Sequence, residues 1–435
     1  MDWLPLQFIH RDDDQEFEQF SQELRFTSPG GEFFDYVAGV YYETSELSFD
    51  RRVTIDTNMD GLVREALGVD SLLTVLTGGA YNANQIGRNH IYELDSDSWA
   101  LFGQGTFNLS ESWRVTVGLR YTEEDKEVVS TQFLSDDLLG MSVPNDNFFL
   151  GATQATSFNT YAYDYDEDRS TDSWLPSINV QWDITDNTML YATFSQGFKS
   201  GGFTAADDGE PGDQNQGEWP CIPGQPIEAC YDFTNPNEDF EFDDEEVDAF
   251  EVGGKHTLFD GSMTLNWALF YTEYSDLQTA IFKGVGFNVK NAAESEVTGL
   301  EVDWLWQSTQ NLLLGANFAW LDAEYSSFED GPCTAIQLDV DPLCGSDLGF
   351  TSNDLSGEPT LFASDYSASL RLDYNRPFGS GDMEFFFGMD VNYRDDFNSA
   401  GDNDPLDLID GYTKVNARIG VRGNSWELMA YGRNI

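Results

Sequence analysis

Positive charge is scarce in this chain: 21 Lys and Arg stand against 78 Asp and Glu, a formal net charge of −57 over 435 residues. A phosphate backbone needs compensating cations on its protein, so no nucleic acid is expected as a partner. Histidine is nearly missing, with only His10, His90 and His256. His10 and His90 fall in connecting segments, and His256, beside a short turn, reads as an interfacial side chain rather than a general base. No H-E-x-x-H run or paired C-x-x-C spacing is present, so neither a metal nor a cofactor site is expected, and the chain is not read as an enzyme. Carboxylate pairs decide nothing, because 78 acids supply them everywhere. Long hydrophobic runs are also absent. None approaches the roughly 20 residues of a spanning helix, and no cationic segment followed by an apolar one opens the chain, so a start after a signal peptide is expected. No Pro/Ser-rich linker divides it, which favours one large domain over 1–435.

What is abundant is aromatic: 33 Phe, 19 Tyr and 11 Trp at a mean hydropathy of −0.41. These residues sit in runs that change character at every second position, the pattern of a strand whose two faces meet different surroundings. The stretch from Asn179 to Phe203 sets the pattern, with two arms around Ile184-Thr185-Asp186-Asn187. In the first arm Pro176, Ile178, Val180 and Trp182 share one face, and Ser177, Asn179, Gln181 and Asp183 share the other.

The unit recurs. Phe17 to Thr27 and Phe33 to Glu43 flank Ser28-Pro29-Gly30-Gly31, and an excursion follows to about Asp97 in which Met59 to Leu76 has helical spacing. Trp99 to Leu109 pairs with Trp113 to Thr122, and a polar excursion spans Glu123 to about Asp172. Val247 to Leu258 pairs with Met263 to about Ile281, and Gly286 to Gln307 with Asn311 to Tyr325. Leu361 to Tyr374 pairs with Met383 to Arg394, and Tyr412 to Arg422 with Trp426 to Ile435. Trp113 and Tyr121 cap the apolar face of their arm as rings cap a membrane-facing strand. Strands of this length, tilted, match an apolar band of about 25 Å.

About fourteen strands, short turns alternating with long loops, and a face apolar outside and polar inside predict an all-β, antiparallel transmembrane β-barrel with periplasmic turns and extracellular loops. Val115, Val117, Leu119, Leu370, Leu372, Val415 and Ile419 should face lipid, and Arg120, Asp373 and Arg418 the lumen. Strands are expected to be missing at both ends, leaving unpaired edges at Phe17 to Thr27 and Trp426 to Ile435.

Leu190-Tyr191-Ala192-Thr193-Phe194-Ser195-Gln196-Gly197-Phe198-Lys199-Ser200-Gly201-Gly202-Phe203 resembles a run in TonB-dependent outer-membrane receptors. So do Gln22-Glu23-Leu24-Arg25 with Val37-Ala38-Gly39-Val40-Tyr41, then Val297-Thr298-Gly299-Leu300-Glu301, and Tyr431-Gly432-Arg433-Asn434, in the family's order. The resemblance implies TonB-energised import across the Gram-negative outer membrane of a scarce small ligand: a ferric siderophore, haem, cobalamin or a glycan. Family barrels have about 22 strands, so the chain is expected to be a part of one, without a plug domain or TonB box. Contact with TonB would then run through a plug outside these residues. A passive porin-like channel or a structural barrel is the alternative.

Ligand contacts are expected among Tyr161, Tyr163 and Tyr165 in one loop and Phe233, Phe240 and Phe242 in another, by stacking. The segment Gly201 to Glu246, with fourteen carboxylates and no Lys or Arg, reads as a solvated loop, and Gly197, Gly201 and Gly202 as shaping a strand end. The four cysteines all lie in long loops of an oxidising compartment, predicting Cys221–Cys230 and Cys333–Cys344.

Overall fold

The computed structural model describes residues 9–55, 86–136, 141–142, 163–205, 211–213, 231–236, 240–283, 286–329, 331–341, 344, 352–379 and 382–435. Alternation of branched or aromatic with polar residues puts most of them in strands. The wall strands are β1 (Ile9–Thr27), β2 (Phe34–Ile55), β3 (Ile86–Asn108), β4 (Trp113–Asp136), β5 (Tyr163–Thr185), β6 (Thr188–Lys199) and β7 (Glu245–Leu258). They continue as β8 (Met263–Lys283), β9 (Gly286–Thr309), β10 (Leu312–Ser327), β11 (Tyr366–Phe378), β12 (Met383–Arg394), β13 (Tyr412–Gly423) and β14 (Glu427–Arg433). Each bonds to its sequence neighbours in one antiparallel sheet, with the short Met141–Ser142 strand added at the end of β4. One helical turn, α1 (Ala335–Val340), is closed by a capping box between Thr334 and Gln337. Among the described residues no helix is long and apolar enough to cross a membrane.

Register confirms which residues share a face. Val115, Val117 and Leu119 stand opposite Val180, Ile178 and Pro176, and Leu370 opposite Val391, which meets Val415. Val117, Leu119, Leu370 and Ile419 are 45–56% exposed, so this face is not packed against a second sheet. Rings close the apolar band at both rims. Trp113 stacks on Trp182 (5.2 Å) at the short-turn rim, and Trp99, Tyr121 and Trp174 form a row at the other, at 5.4 and 4.7 Å.

The opposite face carries Arg120, Asp373 and Arg418, and there several side chains lie flat over glycines. Phe102 covers Gly39, Tyr191 covers Gly253, Phe270 covers Gly299 and Phe386 covers Gly420, each so close that a Cβ would collide with the ring. Glycine in a strand is weak by itself, and a ring lying over it restores packing to that gap.

The wall is open. β1 bonds to β2 and β14 to β13, and among the described residues no ladder joins β1 to β14, so the two edges expected to be unpaired with each other are so. Several strands run past the expected ends. Glu123 to Asp172, read as a polar excursion, is mostly strand, because β4 continues to Asp136 and β5 begins at Tyr163. In the same way β1 begins at Ile9, β2 continues to Ile55 and β3 begins at Ile86. Past the Tyr42–Trp99–Tyr121–Trp174 row the outer face no longer needs hydrocarbon, so the alternation that marks a strand disappears while the ladder goes on. The helix expected over Met59 to Leu76 lies outside the described residues.

Candidate functional site

At the long-loop end the inner face of β2–β5 is covered by the two limbs of the β6–β7 connection. The covering begins with the glycine pair after Lys199. Gly202–Phe203 bonds antiparallel to Glu241–Phe242, and a methyl on Gly201 would collide with Phe242 O and the Arg169 guanidinium. Gly201 therefore permits a close backbone approach that any side chain forbids.

Two cations hold these limbs, each alone in an acidic run of its own strand. Lys126 Nζ donates to Ser200 Oγ and Gly201 O, both at 2.7 Å. The Arg169 side chain, only 9% exposed, donates to Phe242 O (2.5 Å) and pairs with Asp244 (3.0 Å) and Glu241 (3.1 Å). Asp244 also accepts from Gly201 N at 2.6 Å and from the Thr171 hydroxyl. Gln278 Nε2 donates to Ser200 O and Asp243 O (3.1 and 3.0 Å), stitching the same backbone to β8. Charge-assisted bonds of this kind are the strong class.

Beneath the limbs lies an aromatic cluster. Tyr92, Val128 and Phe203 are buried together, with Leu47, Phe49, Leu94 and Tyr165 packed on them. Tyr165 meets Phe240 at 4.7 Å and Phe203 at 5.9 Å. Tyr92 donates to Phe203 O (3.2 Å), and burial, with Tyr165 adding to it, pushes its hydroxyl pKa well up. Among the residues singled out as ligand contacts, Tyr165 and Phe240 thus pack the limbs to the wall, and Phe242 is partly buried in the limb pair. Tyr161 lies outside the described residues, and Tyr163 and Phe233 are described only as strand positions.

A second covering joins two further loops. Asp404, 1% exposed, accepts from Leu406 N (2.9 Å) and from Ala335 N (3.1 Å) at the start of α1. Asn353 Nδ2 donates to Pro332 O and Asp402 O, and Arg394 donates to Phe362 O and stacks on Phe397 at 3.9 Å. Cys333 and Cys344 are disulfide-bonded in this region; Cys221 and Cys230 lie outside the described residues. Asp402, Asp404 and Asp407 bring three carboxylates within 4.8 Å. That is fewer oxygens than the six to eight of a calcium site, and Asp404 serves the two loop backbones.

Below both coverings the inner wall is polar. One ladder row carries Lys255, Asn266, Asp303, Asn317, Ser369 and Asn392 on β7–β12. Beside it Tyr191 donates to Glu251 (2.6 Å). His90 and Ser130 stand 3.0 Å apart, each 1% exposed. His256 accepts from Trp267 Nε1 (3.2 Å) on the outer face, as an interfacial residue would. The arrangement is a polar inner face with structured coverings at its long-loop end.

Known proteins match it. A solved ferric yersiniabactin uptake receptor, FyuA from Yersinia pestis, is similar over 99% of this chain and 51% of its own, at 14% identity and a TM-score of 0.61. The siderophore receptor PiuA from Acinetobacter baumannii is similar over 97% of this chain and 52% of its own, at 15% identity and 0.57. The metal-pseudopaline receptor CntO of Pseudomonas aeruginosa is 24% identical over 262 residues, 60% of this chain and 29% of that protein. The chain thus spans about half the length of these solved structures and less of CntO. The model of the TonB dependent receptor-like β-barrel matches residues 5–435, and the chain belongs to that family.

Proposed function

We propose that this chain forms the wall of an outer-membrane receptor that takes up a small, scarce ligand with energy delivered through TonB. The observation that carries this is the division of the wall into an apolar outer band rimmed by rings and a polar inner face with structured coverings at one mouth. Such a wall encloses a passage in hydrocarbon, and coverings tied to it by Lys126 and Arg169 present a shaped surface to an arriving ligand. The relatives' names point to siderophore or other metal complexes as the ligand class, and we adopt that class here. The aromatic residues Tyr161, Tyr163, Phe233 and Phe242 are proposed to meet it, while Tyr165 and Phe240 support the surface from below. Force transmission belongs to a plug domain, proposed to lie outside these residues.

Uptake of radio-iron offered as siderophore complexes tests this, in cells with and without working TonB. The chain is expressed by itself and with a related receptor's plug supplied in tandem. Accumulation that needs both plug and TonB is expected. Energy-dependent accumulation with the chain alone would overturn the division of labour, and TonB-independent leakage of small solutes in every arm would establish a passive channel instead.

A further inference from the structure

Below the second covering the inner face of β7–β12 is dented. The dent measures about 630 Å³, the size of a small-molecule site, and its cause is a change in side-chain size along one ladder row. Ala268, Glu301, Ala319, Ser367 and Arg394 stand opposite one another on β8–β12, so small residues make the floor and Arg394 closes one end. The next row on the same face brings Asn266, Asp303, Asn317, Ser369 and Asn392, with Lys255 beyond Asn266. Between two cations the lining thus offers amides, hydroxyls and two carboxylates.

Arg394 is held in an uncommon way. Its Nε donates to Ser364 Oγ (2.9 Å) and its Nη2 to Phe362 O (2.8 Å), and the guanidinium lies 3.9 Å from the centre of the Phe397 ring. Asp395 and Asp396 follow it in sequence, yet among the described residues neither pairs with it. Asp395 accepts from the Tyr393 hydroxyl instead (2.8 Å). In a chain with 78 acids, a guanidinium tied down by neutral oxygens keeps its Nη1 hydrogens for an arriving anion. The anchor itself is strained. Phe362 has a φ of 62°, which a bulky residue rarely adopts, and it is fixed there by its N–H on Asn398 O (3.0 Å) and by Arg394 on its carbonyl.

We propose that this dent binds a polyhydroxylated carboxylate, with the carboxylate on Arg394 and the hydroxyls along the Asn266 to Asn392 row. Asn and Ser both donate and accept, as hydroxyls require. Glu301 and Asp303 accept from hydroxyls and repel further negative charge, so a ligand with one anionic end and a neutral hydroxylated body fits where a compact dianion does not. This rests on the reading of the inner face as the ligand's route, and it gives that ligand a hydroxy-acid surface.

The test is equilibrium dialysis of the full chain in detergent micelles against gluconate, with sorbitol and inorganic phosphate as the other probes. Gluconate is expected to bind about tenfold more tightly than sorbitol, the worth of one charge-assisted contact, and more tightly than phosphate. Arg394→Gln should bring gluconate down to the level of sorbitol. Ala319→Leu fills the floor two strands away from Arg394 and should abolish binding of both, which keeps the test decisive if Arg394→Gln loosens the covering. Equal binding of gluconate and sorbitol overturns the proposal, as do tighter binding of phosphate, an unchanged gluconate affinity in either variant, and no binding of any probe. TonB-dependent iron uptake without gluconate binding would sink this site and leave the uptake reading standing, whereas gluconate binding without uptake would do the reverse.

Discussion

The Arg418 guanidinium on β13 reaches Asp373 on β11 at 2.6 Å by passing over Gly388 of the strand between them. A Cβ at Gly388 would stand 2.6 Å from Arg418 Nε, so the glycine is the floor on which the pair lies. Arg371 reaches the same carboxylate from its own strand at 2.5 Å. Gly388→Leu is therefore expected to displace Arg418 and lower stability by about 1–3 kcal/mol, the range for overpacking. Gly388→Ala should do less. Thermal unfolding of the reconstituted wall checks the order, and equal midpoints for the two variants and the parent would show that the crossing is not tight.

Neighbouring glycines at the mouth should respond unequally. Gly201 has no room for a Cβ against Phe242 O and Arg169, whereas at Gly202 the nearest atom, on the Phe242 ring, is 3.2 Å away. Gly201→Ala should free the limbs and speed limited proteolysis between residues 200 and 244, and Gly202→Ala should leave the rate near that of the parent. Similar cleavage of both would refute the close approach.

The row Glu18, Glu46, Asp95, Glu127 and Asp168 predicts a salt response. Each opposed pair of like charges costs up to about 1 kcal/mol, and at 1 M salt the screening length falls to about 3 Å. The midpoint of unfolding should rise with sodium chloride in the parent and rise less in Asp95→Asn, which breaks the row in the middle. A flat response in the parent would count against it.

Asp365 sits just before β11, where burial and then Asp395, Asp322 and Asp396 raise its carboxyl pKa above the ordinary value. A carboxyl raised on folding favours the protonated folded state. Its stabilising contribution is present below the unfolded value of about 3.9 and is lost as pH climbs through the higher folded value. Asp365→Asn should therefore raise the unfolding midpoint at pH 7 and make no difference near pH 3. The opposite sign at pH 7 would show that the neighbouring acids do not act on it.

Closing a loop of about ten residues by a disulfide restricts the unfolded chain by roughly 2–3 kcal/mol in the entropy model. Replacing Cys333 and Cys344 by Ser should loosen the covering around α1 and leave the wall strands intact, as hydrogen exchange would report separately for each. Peptide mapping without reductant is expected to return Cys333–Cys344, seen here, together with Cys221–Cys230. A Cys221 to Cys333 peptide would defeat the local pairing.

The wall was legible where lipid and lumen impose opposite demands on alternate residues, as from Trp113 to Thr122. From Glu123 to Gln132 the same strand continues with Glu123, Asp125, Glu127, Val129 and Thr131 outside and Glu124, Lys126, Val128, Ser130 and Gln132 inside, and no two-fold pattern of hydrophobicity marks it. Those inner residues are covered by limbs that arrive from about 75 residues further along, a relation no local window contains. A signal was nonetheless available. Lys126 and Arg169 are single cations within runs of acids, and an isolated cation in such company marks a point where distant acids and carbonyls converge. Among the loop aromatics expected to meet a ligand, Phe240 is 2% exposed, a burial that nothing in its own segment marks because the covering partner Tyr165 lies on a distant strand.

Side chains that recline on glycine also set a dimension. Phe102, Tyr191, Phe270 and Phe386 are long enough to project well toward the axis, yet each lies along the wall over the glycine of an adjacent strand. The inner face is thereby kept shallow by residues that would otherwise stand off it, and how far it projects is encoded in the positions of Gly39, Gly253, Gly299 and Gly420.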